Sequence, residues 1–306
     1  MSRAAVIALF GPTGVGKTGV ATALGRRMRE LGQRPVAVSA DALQVYEGLG
    51  TLTGAATAAE RRTLEHRLVS VVPIDASFSA GQYAELAHAE IDSLLAAGSR
   101  PIVVGGTGLY LRAALTELSL KPPPPEGIRE RWTAELERQG PLALHALLSE
   151  RAPAAARRID PGDRQRIVRA LELFDAGELE LDTDGGGESE LWSEAVRWPT
   201  LLVGLVLDRA ALYARIDARV DAMLAAGVED EVRRANTAGA SLTARKALGF
   251  EELLAGDVDG MKRRTRNYAR RQLTWMRKLA GIETIDTTGR SEEEIAAQIL
   301  ELWLAG

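Results

Sequence analysis

Apolar positions along the chain fall into two alternating rhythms. Short continuous runs at residues 5–10, 35–39, 67–72, 101–104 and 201–207 have the length and β-branched content of strands buried on both faces. Residues 18–31, closed by Gly32, and 79–97, closed by Gly98, carry helical spacing with a glycine stop. Strands and helices in alternation predict an α/β core around a parallel sheet, because parallel neighbours need a crossover element between them. The stretch of about eighty residues between the fourth run and the fifth is too long for a crossover loop. It opens on four prolines at 122–125, a stiff extended spacer, and reads as helical from 128 to 174. It ends in the Gly/Asp/Glu-rich residues 178–194. The expected organisation is therefore a first core segment (1–121), a helical insertion with an acidic tip (122–198), and a last segment (199–306). That last segment holds the fifth strand and is otherwise helical.

Composition narrows the chemistry. With 306 residues, 46% apolar and 26% charged, the chain can bury a sizeable core and is not disordered. The absence of cysteine removes disulfides, thiolate nucleophiles and thiolate-held zinc, and fits a reducing, cytoplasmic setting. His66, His88 and His145 are too scattered for a local metal motif. No apolar run reaches membrane length, so no membrane partner is expected. Residues 4–10 run straight into Gly11-Pro12-Thr13 and read as a first strand rather than a leader.

A net charge of −4 argues against a nucleic-acid partner only if the charge is spread evenly. It is not: residues 261–280 contain eight bases and no acid, so the other 286 residues sum to −12, with −7 of that in 177–194. On a helical wheel Lys262, Arg263, Arg264, Arg266, Arg270, Arg271, Arg277 and Lys278 share one broad face. Met261, Thr265, Tyr268, Ala269, Gln272, Trp275, Met276 and Leu279 share the other. The pattern predicts a helix anchored by one side, with a continuous cationic surface for a nucleic acid on the other.

The sharpest local signal is Gly11-Pro12-Thr13-Gly14-Val15-Gly16-Lys17-Thr18, which matches G-x-x-x-x-G-K-[ST] between a predicted strand and a predicted helix. Glycines let backbone N–H groups curl around an anion, and the helix N-terminus adds its positive end. Lys17 supplies a point charge and Thr18 a hydroxyl for magnesium. The loop is thus expected to bind a polyphosphate or diphosphate, a motif of the nucleotide-binding (ATP-binding) kind. A kinase or nucleotide hydrolase also needs a magnesium-holding acid at another strand end. Here the fourth strand leads into Gly105-Gly106-Thr107-Gly108, with no carboxylate. The second strand ends at Asp41, which the carboxyl edge of a parallel sheet would turn toward the phosphate loop as a candidate base. As a plain structural residue it would be a turn or helix-capping aspartate.

Further segments bear on the choice. They are Asp41-Ala42-Leu43-Gln44-Val45-Tyr46, Gly105-Gly106-Thr107-Gly108-Leu109-Tyr110, and Asp163-Arg164-Gln165-Arg166-Ile167-Val168-Arg169-Ala170-Leu171-Glu172. Arg215-Ile216 with Arg219-Val220-Asp221-Ala222-Met223 follows, then Thr265-Arg266-Asn267-Tyr268-Ala269-Arg270-Arg271-Gln272-Leu273-Thr274-Trp275. In order and spacing they resemble the tRNA dimethylallyltransferase (IPP transferase) family, from the phosphate loop to about residue 280. The resemblance implies a P-loop NTPase-like parallel sheet core with a helical insertion domain and a helical C-terminal region. It implies a monomeric transferase that moves a dimethylallyl group from dimethylallyl diphosphate to N6 of adenosine 37, beside the tRNA anticodon, with Mg2+ as cofactor. The partner is then the tRNA anticodon stem-loop.

Carried over residue by residue, the resemblance makes Asp41 the base, Thr107 a second anchor near the acceptor amine and Arg215 a phosphate clamp. Contacts to tRNA are expected from Asp41, Ala42, Leu43 and Gln44, from Thr107 and Arg129, and from Gln165, Arg166, Ile167, Val168 and Arg169. Arg245, Arg270, Arg271, Gln272 and Trp275 complete that set, and Tyr46 is a candidate for base stacking. Four departures stand out: Ala42 replaces the family's serine, residues 50–55 are a shortened stretch without its lysine, Phe250 replaces a tyrosine, and the acidic residues 178–194 replace a segment that is normally less acidic. Three rivals remain: an ATP-dependent small-molecule kinase, a prenyltransferase of free adenine nucleotides, and a non-catalytic RNA-binding switch. The kinase lacks its strand-end acid. A free-nucleotide enzyme needs neither the basic helix nor the insertion, and a switch would tolerate Asp41→Ala.

Overall fold

The structure is a computed structural model and describes residues 4–118, 121, 125, 127–179 and 195–306. The chain divides into two compact units, Met1–Leu118 with Ser189–Gly306, and Ser119–Glu188. In the first, β1 (Val6–Phe10), β2 (Pro35–Ser39), β3 (His66–Arg67), β4 (Arg100–Gly105), β5 (Thr200–Val206) and β6 (Glu283–Asp286) form one sheet. Its order is β3-β2-β4-β1-β5-β6 and every pairing is parallel, with Ile7 opposite both Ile102 and Leu201 at the centre. All five residues of β1 are buried, as a strand covered on both faces requires.

The helices of this unit are α1 (Lys17–Glu30), α2 (Gly50–Thr53), α3 (Ala58–Thr63), α4 (Ala80–Ala96) and α5 (Gly108–Leu115) before the insertion. The second unit then contributes α6 (Ile128–Gln139), α7 (Pro141–Arg151), α8 (Pro153–Ala156) and α9 (Arg164–Asp175). After it come α10 (Arg209–Ala225), α11 (Val228–Thr237), α12 (Phe250–Leu254), α13 (Val258–Met276) and α14 (Glu292–Ala305). Ile7 and Leu9 of β1 share a core with Val20, Leu24 and Met28 of α1 and with Ile295, Ile299 and Trp303 of α14. Tyr83 of α4 donates to the Ser39 carbonyl (2.9 Å). Among the described residues, no helix is long and apolar enough to cross a membrane.

Two sequence expectations change here. The strand expected at 67–72 stops at Arg67, because Leu68 and Ser70 adopt left-handed backbone (φ 58° and 55°) that no strand accommodates. The chain leaves the sheet, and the N–H groups of Ser70, Val71 and Val72 bind the carbonyls of Gln44 and Val45 (2.7–2.9 Å). The C-terminal region is also not helical apart from one strand, since β6 pairs with β5 along Val203–Val206. Only Ile285 of its four residues is buried, so this polar edge strand has no apolar run to announce it.

The second unit holds α6 (Ile128–Gln139), α7 (Pro141–Arg151), α8 (Pro153–Ala156) and α9 (Arg164–Asp175) around Trp132, Leu136, Leu144, Leu148, Ile167 and Leu171. Glu172 is buried in it and accepts two bonds from Arg129 (2.8 and 2.9 Å) and one from Arg169 (3.2 Å). Those bonds hold its carboxyl below the usual carboxylate range, although burial alone would raise it. Of the proline spacer, 122–124 lie outside the described residues, as does 180–194 of the acidic tip.

Candidate active site

The phosphate loop spans the end of β1 and the start of α1. Gly14 and Gly16 take φ of 84° and 100°, backbone that favours glycine and turns successive N–H groups inward. No side chain caps α1, so its first amides are left for an anion. Lys17 folds over the loop, donating to the carbonyls of Gly11 (2.9 Å) and Pro12 (3.0 Å). Burial pushes its ammonium down to about 8; neighbouring Arg219 adds to that shift and Asp41 opposes it.

The loop forms one wall of a cavity of about 960 Å³. Asp41 and Gln44 line it from the turn after β2, Thr53–Ala56 from the last residue of α2 and the chain beyond it, Ile216, Arg219 and Met223 from α10, and Met261, Tyr268 and Gln272 from α13. Asp41 Oδ1 accepts the N–H groups of Leu43 (2.9 Å) and Gln44 (3.3 Å), a local turn that fixes the carboxylate. The left-handed segment 68–72 braces this turn from behind through Gln44 and Val45. Leu43 also lines the cavity, and Ala42 is half-buried beside it.

Arg219 is the cation that sequence reasoning missed. It lies half-buried against Gly54, where a Cβ would collide with its guanidinium, and donates to the Thr53 carbonyl (3.2 Å). Burial lowers its pKa while the charge of Asp41 works against that shift. Arg215, one helical turn earlier, donates to the Val15 carbonyl (3.4 Å) and braces the loop. The available signal was the i,i+4 spacing of the two arginines on a helix with apolar Ile216, Val220 and Met223. Which one reaches the cavity depends on the room left by Gly54.

Thr107 is the residue before α5, and its hydroxyl sits 3.3 Å from the Tyr268 hydroxyl of α13. Burial, with Asp41 reinforcing it, pushes the Tyr268 phenol up to about 12. The Arg271 guanidinium lies 5.6 Å from its ring centroid. Gln272 points inward as well: its Oε1 accepts Thr13 N–H (2.9 Å) and its Nε2 donates to the Gly106 carbonyl (2.8 Å). Trp275 packs on Gly108, and Arg270 is exposed. Tyr46, expected to stack on a base, is instead buried and donates to Thr243 Oγ1 (2.8 Å), because the turn that presents Asp41 rotates its ring into the core.

The remaining expected RNA contacts belong to both units. In the second unit Gln165 and Arg166 are exposed, Arg129 and Arg169 hold Glu172, and Ile167 and Val168 face the core. Arg245 lies on Phe250 and makes two bonds to the Glu251 carboxylate (2.8 and 3.2 Å). The cationic surface of α13 is narrower than the sequence suggests. Lys262 pairs with Asp221 (2.5 Å), Arg264 with Glu252 (2.7 Å) and Arg266 with Asp217 (2.5 Å), all acids brought in by neighbouring helices.

For magnesium, the Thr18 hydroxyl lines the cavity with no protein partner among the described residues, and oxygen is the donor this hard ion takes. Among those residues no cluster of three acidic or histidine side chains could hold a metal alone. A hydroxyl oxygen suits magnesium, and Thr18 is the residue that would hold it.

A family model described as IPP transferase matches residues 44–279. The tRNA dimethylallyltransferase of Thermobifida fusca is 41% identical over 284 residues, covering 89% of this chain and 87% of that protein. That of Kineococcus radiotolerans is 39% identical over 311 residues, covering 97% and 96%. Among solved structures, the full-length tRNA isopentenylpyrophosphate transferase of Bacillus halodurans superposes with a TM-score of 0.69 at 30% identity, covering 98% of this chain and 95% of that one. A eukaryotic dimethylallyltransferase acting on tRNA shares the fold, with a TM-score of 0.71 at 23% identity, covering 97% and 77%. With its phosphate loop on an all-parallel six-stranded sheet and matches of this extent, the chain belongs to the IPP transferase family.

Proposed function

We propose that this protein transfers a dimethylallyl group from dimethylallyl diphosphate to N6 of adenosine 37 in tRNA, releasing diphosphate. One observation carries the reading: Asp41, Arg219, Lys17 and the phosphate loop line one cavity of about 960 Å³. That is room enough for a small diphosphate and an extruded base together.

The diphosphate lies against the amides that follow Gly14, with Lys17 and Arg219 neutralising it as it leaves. Magnesium, when bound at Thr18, supplies further neutralisation of the phosphate oxygens. The adenine amine is a poor nucleophile, so Asp41 holds it and accepts its proton as the new C–N bond forms and the allylic C–O bond breaks. The turn that pins Asp41 Oδ1 leaves Oδ2 for that task. Tyr268 and Thr107 form the neutral polar wall near the acceptor, and Arg215 steadies the loop from outside the cavity. The RNA is held outside by the exposed cations of α13, in particular Arg270 and Arg271.

The test is incubation with Mg2+, tRNA and dimethylallyl diphosphate, followed by nucleoside analysis. Prenylated adenosine is expected, and ATP in place of the prenyl donor should yield no phosphorylated product. Asp41→Asn should lower transfer by about 10²-fold or more, with tRNA affinity changed by no more than a few-fold. Near-normal turnover in that variant would refute Asp41 as the base.

A further inference from the structure

Gln272 joins three elements that are far apart in sequence. It projects from α13, a helix whose opposite side carries Arg263 and Arg270 at seven-residue spacing, with Arg277 just past its last residue. Its side chain is 4% exposed, and both ends of the amide are used. The oxygen accepts Thr13 N–H at the entrance of the phosphate loop, and the nitrogen donates to the Gly106 carbonyl after β4. Packing leaves no slack at this point. A Cβ on Gly106 would collide with the Gln272 amide and lie 2.9 Å from the Gly11 carbonyl and 3.3 Å from Lys17 Nζ. Gly11 is itself one of the two carbonyls that hold Lys17.

We infer that Gln272 is a positioning residue that couples RNA binding on the outside of α13 to diphosphate binding in the phosphate loop. This rests on the function proposed above and adds a route between its two substrates. A primary amide matches one donor and one acceptor at once, and a buried amide left half-paired is costly. The bridge is therefore either made or broken, the two-state element that coupling requires. RNA phosphates lying on the exposed arginines restrain α13 and favour the made state. In that state Thr13 and Gly106 are held, and the loop amides after Gly14 stay aligned for the anion. Linkage makes the effect mutual, so diphosphate must tighten RNA binding by the same factor.

The experiment measures the Kd of inorganic diphosphate with Mg2+, alone and with saturating anticodon stem-loop RNA, and the Kd of the RNA with and without diphosphate. No prenyl group is present, so no reaction intervenes. In the unaltered protein each ligand should tighten the other by about 5-fold or more. Gln272→Met, equal in length but unable to bridge, should bring both factors below about 2-fold. Gln272→Glu keeps the acceptor for Thr13 N–H and loses the donor to Gly106, so it should fall between them. A coupling factor near one in the unaltered protein, or one that survives Gln272→Met, overturns the inference while the proposed function stands. A protein that binds neither RNA nor diphosphate overturns the proposed function and this inference with it.

Discussion

Salt dependence separates the cationic surface read from sequence from the one the fold leaves in place. Residues 261–280 carry eight bases, but Lys262, Arg264 and Arg266 are each paired with a carboxylate of a neighbouring helix. Arg263, Arg270, Arg271 and Arg277 have no carboxylate partner among the described residues. Each phosphate neutralised contributes about −0.7 (single strand) to −0.9 (duplex) to the slope of log K against log salt. Four free cations give about −3 to −3.6, and eight would give about −6 to −7. Between 50 and 200 mM salt, four predict a loss of about 50- to 150-fold in affinity, and eight a loss of about 2,000- to 20,000-fold. The assay is anticodon stem-loop binding across that range. Changing the four free arginines to glutamine should flatten the slope by about 3. Removing a neutral pair, Arg266→Gln with Asp217→Asn, should leave the slope within about 0.5 of its starting value. If removing the pair flattens the slope as much as removing the free arginines, the assignment of the RNA surface is wrong.

Two further outcomes concern the cavity. Arg219→Gln should cut prenyl transfer by about 10²-fold or more, because it takes a cavity-lining cation from beside the leaving diphosphate, whereas Arg215→Gln should cost about 10-fold or less; the reverse order in single-turnover rates would return the clamp to Arg215. Lys17 has its pKa lowered to about 8, so its positive charge is present below that pH and is lost as the pH rises through it. Affinity for inorganic diphosphate should fall about tenfold between pH 7 and pH 9 relative to Lys17→Met, and parallel pH profiles for the two proteins would refute this.

The site was legible to different depths. The phosphate loop is eight consecutive residues between a strand and a helix, so its geometry is local and its motif was sufficient. Asp41 was legible because a residue just past a parallel strand lies at the ligand-binding edge of the sheet. Arg219 was not, since choosing it over Arg215 depends on Gly54, more than 160 residues earlier, leaving space for a guanidinium. Gln272 and Tyr268 sat correctly on the inner side of the helical wheel. Periodicity names a side but not the atoms waiting there, and those atoms belong to Thr13, Gly106 and Thr107.

By itself the sequence determined the alternating core, the anion-binding loop and a strongly basic helix, because strand burial, glycine backbone freedom and charge are properties of neighbouring residues. The tertiary structure alone decided how much of that basic charge faces water. Asp217, Asp221 and Glu252 are distant in sequence from the bases they neutralise, and packing α10 and α12 beside α13 brings them within ion-pair distance. It also decided that the chain at 68–72 braces Asp41 instead of extending the sheet, since the carbonyls it binds become neighbours only once β2 and β3 have paired.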